Sequence, residues 1–142
     1  MTSGRVEVTI VPKPWGYEKI WARTDRYVGK ILHINAGHAL SVQYHERKDE
    51  TVYLLAGELR YWVAPTTAER GAEPASRATP ERSAEGLRDV RLKEGDSFRI
   101  TPGTVHYMEA VSDCDVLEVS TPETDDVVRL KDRYGREGTS AP

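Results

Sequence analysis

Apolar and polar residues alternate along this chain in short bursts with a period of two, the signature of strands half-buried on one face. Runs rich in β-branched and aromatic residues cover positions 6–11, 17–22, 27–34, 40–45, 51–56, 58–63, 89–92, 97–100, 105–110, 115–121 and 127–130. Gly, Pro, Asp and Asn separate them, as turns require. No long 3.6-residue periodicity marks an amphipathic helix. Many short, closely spaced strands predict an all-β barrel or sandwich. A jelly-roll is favoured, because closing the sheet removes most exposed edges.

Residues 66–86 break the pattern, with no Val, Ile, Leu, Met, Phe, Trp or Tyr among them. Such a stretch buries too little apolar surface to offset its ordering entropy, which predicts a flexible surface loop inserted between two strands. The polar tail from 137 is expected to fray. There is no internal repeat. A chain of 142 residues suits one domain, here 1–142 with one insertion.

Composition narrows the classes of function. The chain is 38% hydrophobic and 30% charged, with a formal net charge of −3 and both signs mixed along its length. That excludes a basic stripe for nucleic acid and a polybasic membrane patch. No apolar run approaches the roughly 18 residues of a membrane span. The N-terminus lacks the basic-then-apolar layout of a secretory signal, so a cytoplasmic location is expected. Cys114 is the single cysteine, which excludes an internal disulfide and a cysteine zinc knuckle. Its polar neighbours Ser112, Asp113 and Asp115 make it read as a turn residue.

Two segments carry candidate chemistry. In the strand at 40–45, Gln43 and His45 share one face, while Leu40, Val42 and Tyr44 share the other. Glu50 follows a polar turn, and a hairpin would return it to the side of His45. His106 opens a later strand after the turn at Pro102 and Gly103. If that strand pairs nearby, an amide oxygen, two imidazoles and a carboxylate converge, a suitable ligand set for a divalent ion.

These spacings resemble the paired motifs of the cupin superfamily. Gly37, His45, Glu50 and Gly57 match the first motif, with Gln43 in place of its first histidine. Gly95, Gly103 and His106 match the second, with Thr101 at the usual proline and Pro102 beside it. Three further segments resemble type II mannose-6-phosphate isomerase domains: Pro14 to Glu18, Ser41 to His45, and Asp125 to Arg129 with Asp132 to Arg136. In that class the domain is often fused to a GDP-mannose pyrophosphorylase; here a stand-alone domain is expected. Lys48 occupies the position of the class's arginine, and Thr51-Val52 replace the His-Trp that tends to follow its glutamate.

The resemblance implies a single-domain cupin, a double-stranded β-helix, with one divalent metal held by Gln43, His45, Glu50 and His106. Zn, Mn, Co or Ni is favoured, and Fe would also fit. The implied activity is aldose–ketose isomerisation of a small-molecule sugar phosphate by a homodimer. Lys48 would then take the arginine's catalytic role, Lys30 and Arg60 would bind phosphate, and Tyr53 would donate a hydrogen bond to substrate. A metal-dependent oxygenase and a non-catalytic small-molecule binder are the competing readings. His38 reads as an exposed turn residue, and His33 as a core residue sharing a face with Ile31. Trp15, Trp21 and Trp62 read as anchors of the core or of a dimer contact.

Overall fold

The computed structural model describes residues 2–65, 86–123 and 125–137. The expected loop at 66–86, except Gly86, and the tail past 137 lie outside the described residues. Within them the chain is all-β and contains no helix. The strands are β1 (Thr9–Lys13), β2 (Gly16–Arg23), β3 (Val28–Ile34), β4 (Val42–His45), β5 (Glu50–Ala56), β6 (Leu59–Val63), β7 (Arg88–Leu92), β8 (Ser97–Ile100), β9 (His106–Ala110), β10 (Cys114–Ser120) and β11 (Val127–Lys131).

Two antiparallel sheets result. One has the order β1-β2-β3-β10-β5-β8, the other β11-β4-β9-β6-β7. The period-two pattern explains why they face each other. Val28, Leu32 and Ile34 of β3, Cys114 and Val116 of β10, and Val52 and Leu54 of β5 are buried on one sheet. Leu59, Tyr61 and Val63 of β6 and Met108 and Ala110 of β9 are buried on the other. All of these but Val28 form one continuous core with Trp15, Leu92 and Ile100.

Glycine sets two of the tight turns. Gly57 joins β5 to β6 at φ +102°, and a Cβ there would lie 2.3 Å from the Asp113 carbonyl oxygen. Gly103 has φ +81°, and its N–H donates to the His45 carbonyl at 2.7 Å. That bond ties the turn preceding β9 to the end of β4.

Several expectations need correction. The first strand begins at Thr9 rather than at Val6, and Val6, Val8 and Ile10 are exposed, because β1 is an edge strand that pairs with β2 alone. Cys114 is not a turn residue. It opens β10 fully buried, its Sγ 3.1 Å from the Glu58 carbonyl. His33 is outside the core: Lys30, Leu32 and Ile34 take the inward positions of β3, which leaves Ile31 and His33 outward. There His33 stacks on Tyr17 and its Nδ1 lies 2.7 Å from Asp115. His38 is half-buried and its Nδ1 lies 2.7 Å from the Tyr134 hydroxyl. Leu40 precedes β4, escapes its alternation, and packs against the main core. Trp15 is a core anchor, whereas Trp21 is exposed above Gly29, and Trp62 is half-buried and stacks on Tyr107.

Candidate metal centre and its cleft

Three candidate ligands meet at the floor of a cleft between the sheets. His45 ends β4 in the five-stranded sheet, and Glu50 opens β5 in the six-stranded one. The segment between them is therefore a crossing from sheet to sheet, not the hairpin expected, and it places the two side chains face to face. His106 opens β9, where it pairs with Gln43 of β4. His45 Nε2 lies 3.5 Å and His106 Nε2 3.3 Å from Glu50 Oε1. Ligand atoms of the three residues all lie within 4.8 Å of one another, and all three are buried.

The surrounding hydrogen bonds orient both imidazoles. His106 Nδ1 is 2.8 Å from the Thr104 carbonyl, an acceptor only, so Nδ1 carries the proton and Nε2 presents its lone pair inward. His45 Nδ1 is 3.2 Å from Asp126 Oδ1 and is arranged in the same way. Asp126 is anchored in turn by the backbone N–H groups of Arg47 and Lys48, at 2.7 and 3.1 Å. Burial works against its charge, but those two N–H groups and His45 hold its carboxyl below the usual aspartate range. Such support is what ligating histidines need. His106 Nε2 itself is buried and makes no hydrogen bond, a cost that a metal ion would remove. The donor set thus fits a divalent cation. Gln43 faces the same cleft, and its Oε1 accepts from Ser41 Oγ at 2.7 Å, which leaves a lone pair on that oxygen.

From this floor a row of buried charges crosses the inner face of the six-stranded sheet. Lys48 Nζ lies 3.7 Å from Glu50 Oε2 and 3.0 Å from Glu118 Oε2. Next comes Lys30, 3.3 Å from Glu18 Oε1, and then Lys13, 4.0 Å from Glu18 Oε2. The signs alternate from β5 to β1, and that alternation is what makes burial of six charges tolerable. Burial disfavours the Lys48 charge, yet the Glu118 and Glu50 carboxylates outweigh it and raise its pKa. Glu50 shows the converse: burial favours its neutral acid, but Lys48 foremost, then the histidines, hold it well below the usual range. Glu118 goes the other way, raised by burial against the pull of Lys48.

The cleft has a cavity volume of about 60 Å³ and opens to solvent. Lys13, Lys30, Arg129 and Arg136 line it together with Glu18. Arg129 stands opposite Gln43, which stands opposite His106, so a row of three strands joins mouth to floor. Arg136 is braced by Asp132, which accepts from its Nε at 2.8 Å.

Of the residues predicted to act here, Gln43, His45, Lys48, Glu50 and Lys30 line the cleft, and His106 joins them at the floor. Tyr53 and Arg60 do not. Tyr53 takes the outward parity of β5 and is 40% exposed. Arg60 takes the outward parity of β6, where Asp89 holds it at 2.7 Å and its guanidinium lies over Trp62. Sequence reasoning passed over Lys13, Glu18, Glu118, Asp126, Arg129 and Arg136 as site residues. The available signal was a charge at an inward strand position: Glu18 alternates with Ile20, Glu118 with Val116, and Arg129 with Val127.

This architecture, two facing antiparallel sheets with a histidine–carboxylate cluster at one open end, is the double-stranded β-helix, and the chain has the cupin fold. It superposes with TM-score 0.63 and 16% identity on an RmlC-like cupin from Shewanella frigidimarina, covering 84% of this chain and 88% of that one. It superposes with TM-score 0.66 and 13% identity on oxalate decarboxylase from Bacillus subtilis, covering 87% of this chain and 30% of that one. No protein-family model matches the chain. In sequence it is 34% identical over 133 residues to the mannose-1-phosphate guanylyltransferase of Escherichia coli K12, a match that takes in 89% of this chain and 23% of that protein. The ManC guanylyltransferase of Salmonella typhimurium LT2 matches at 32% over 132 residues. The chain thus spans about a quarter of the length of the curated relatives it matches.

Proposed function

We propose that this protein is a metal-dependent aldose–ketose isomerase acting on a sugar phosphate of the mannose 6-phosphate type. The observation that carries this reading is the convergence of His45, His106 and Glu50 at the floor of a cleft whose mouth is cationic. The relatives add to it, since their name places mannose phosphate chemistry in those proteins. The metal would be held by Gln43, His45, Glu50 and His106, with Zn, Mn, Co or Ni favoured. Mn(II) centres are described in the oxalate decarboxylase that shares the fold. A bound divalent ion would supply Lewis acidity to the sugar's carbonyl and hydroxyl oxygens.

The chain's own residues do the rest. His106 and His45 keep their Nε2 lone pairs facing the floor because Thr104 and Asp126 hold the other nitrogens. Lys48 stays an ammonium beside Glu50 and Glu118 and offers positive charge to a developing enediolate oxygen. Glu118, whose pKa burial raises, is the neighbour suited to exchange a proton during the shift between adjacent carbons. The cleft walls hold the chain of the sugar in line with these groups.

The same reading places the protein in the cytoplasm as a homodimer. No helix among the described residues is long and apolar enough to cross a membrane. The outer face of the six-stranded sheet exposes Trp21, Tyr53, Leu55 and Val119, an apolar surface suited to a second copy. Sedimentation velocity tests the dimer, and a monomer at tens of micromolar would contradict it.

Activity is tested by turnover between mannose 6-phosphate and fructose 6-phosphate after reconstitution with Zn, Mn, Co, Ni and Fe(II) in turn. Turnover that vanishes in His45→Ala is expected. A fully loaded protein without turnover would overturn the isomerase, and oxygen consumption with Fe(II) would put an oxygenase in its place.

A further inference from the structure

Each imidazole of the cluster is held from behind, His106 by the Thr104 carbonyl and His45 by Asp126. Glu50 has no such support. With both Nε2 lone pairs turned to the floor, neither histidine donates to it, and Lys48 Nζ stands 3.7 Å from its Oε2. A carboxylate offers about four lone-pair sites, and a ligating one is normally hydrogen-bonded in its turn. Two buried hydroxyls nearby show the complementary lack: among the described residues neither makes a hydrogen bond. Ser120 ends β10 directly opposite Glu50 of β5, on the same inward face, where cross-strand Cβ atoms lie about 5 Å apart. Tyr61 is fully buried at an inward position of β6. Its ring stacks on Phe98 of the other sheet at 5.3 Å and tilts against His106 at 6.0 Å, so it reaches across the interior beside the cluster. Burial, and then the Glu50 and Glu118 carboxylates, push its pKa well above the usual tyrosine value, so the phenol keeps its proton and stays a donor. Phenylalanine would fill the same space without burying an unpaired hydroxyl, so the apolar packing does not explain a tyrosine here.

We propose that Tyr61 and Ser120 are positioning residues of the metal centre, two hydroxyl donors that engage the Glu50 carboxylate when it holds a divalent ion. This rests on the reading of His45, Glu50 and His106 as a metal site and is independent of the isomerase. The donors approach Glu50 from opposite sheets, Ser120 from β10 beside it and Tyr61 from β6 across the interior. Together they set the tilt of the carboxylate, and so which lone pair faces the histidines. The hydroxyls are left unpaired in the metal-free fold and paired in the loaded one, so they disfavour the first state and favour the second. Part of the affinity for the ion therefore comes from relieving a cost stored in the metal-free protein.

The test measures Zn(II) affinity by competition with a chromophoric chelator, the visible spectrum of the Co(II)-loaded protein, and the thermal midpoint with and without metal. The variants are Tyr61→Phe, Ser120→Ala and the double. Each single change should weaken Zn(II) by about tenfold, and the double should weaken it further. The Co(II) bands should shift in both single variants, a signature that a purely structural role would leave in place. The metal-free Tyr61→Phe protein should melt no lower than the wild type, and up to about 3 °C higher. The rise in midpoint on adding Zn(II) should be smaller in each variant than in the wild type. Ser120→Ala removes a single oxygen, so it tests the proposal even if Tyr61→Phe folds poorly. Unchanged Zn(II) affinity and Co(II) spectrum in the double variant, beside a loaded wild type, would overturn the proposal and leave the metal site standing. A metal-free Tyr61→Phe protein that melts several degrees lower would also overturn it, since the hydroxyl would then already be bonded in the fold. A wild type that takes up no ion would remove the metal site and this proposal with it.

Discussion

The two ends of the barrel interior are lined by inward positions of the same strands, yet their chemistry is opposite. At the closed end, β3 contributes Ile34, β10 Cys114 and Val116, β5 Leu54, and β9 Met108 and Ala110. Two to four residues along the same strands, the inward positions become Lys30, Glu118, Glu50 and His106. The period-two geometry is constant while the side chains change, so shape and stability come from one end and chemistry from the other. The polar end is possible only because its charges alternate in sign and its imidazoles are held from behind.

The sharpest way to break this contrast is to remove a charge from the row. Lys48→Met strips the buried Glu50 and Glu118 of their shared cation, and should destabilise the metal-free protein by about 3–5 kcal/mol in denaturant titration. Bound metal should shrink that penalty, since the ion supplies positive charge beside Glu50. At the closed end Leu54→Ala should cost about 3 kcal/mol through lost burial and a cavity, while metal stoichiometry stays unchanged. Metal loss in that variant would show that the two ends are not separable.

A smaller effect is expected at the support behind His45. Asp126→Ala should cost about 2 kcal/mol near neutral pH through two orphaned backbone N–H groups, and should weaken metal binding by about tenfold or more. The sign with pH follows from the lowered pKa of Asp126. Its contribution is full above the unfolded value near 3.8 and fades as pH falls through the lower folded value. The gap between wild type and variant should therefore close in acid, and a gap that widens would contradict the assignment. The smallest effect concerns Cys114. Burial pushes its thiol up to about 11, so alkylation at pH 8 should require unfolding. Rapid labelling of the folded protein would mean that the closed end opens.

The sequence made the strands legible because strand order and turn residues are local signals. It also pointed to the candidate metal donors, since Gln43 and His45 share parity and Glu50 and His106 sit beside turns. What it concealed was direction. In β3 both faces carry apolar residues, so parity alone did not decide between Ile31 with His33 and Leu32 with Ile34, and Lys30 entered the site without its inward neighbours being recognised. Tyr53 sits in an unbroken apolar stretch from Val52 to Leu55 that masks which side is buried. Arg60 was readable as outward, since Leu59 and Tyr61 flank it. Cys114 was hidden by the polar residues around it, because burial there is set by β3 and β5 on either side. The cations at the mouth come from β1, β3, β11 and the turn after it, a convergence that only the folded sheets create.

The central claim is that His45, Glu50 and His106 hold one metal ion per chain. The most direct measurement is metal stoichiometry by elemental analysis after reconstitution and desalting, in the wild type, Glu50→Gln and His106→Ala. The account predicts one ion per chain in the wild type and near zero in both variants, with folding verified by circular dichroism. One ion retained in folded Glu50→Gln and His106→Ala would place the metal elsewhere and contradict the site.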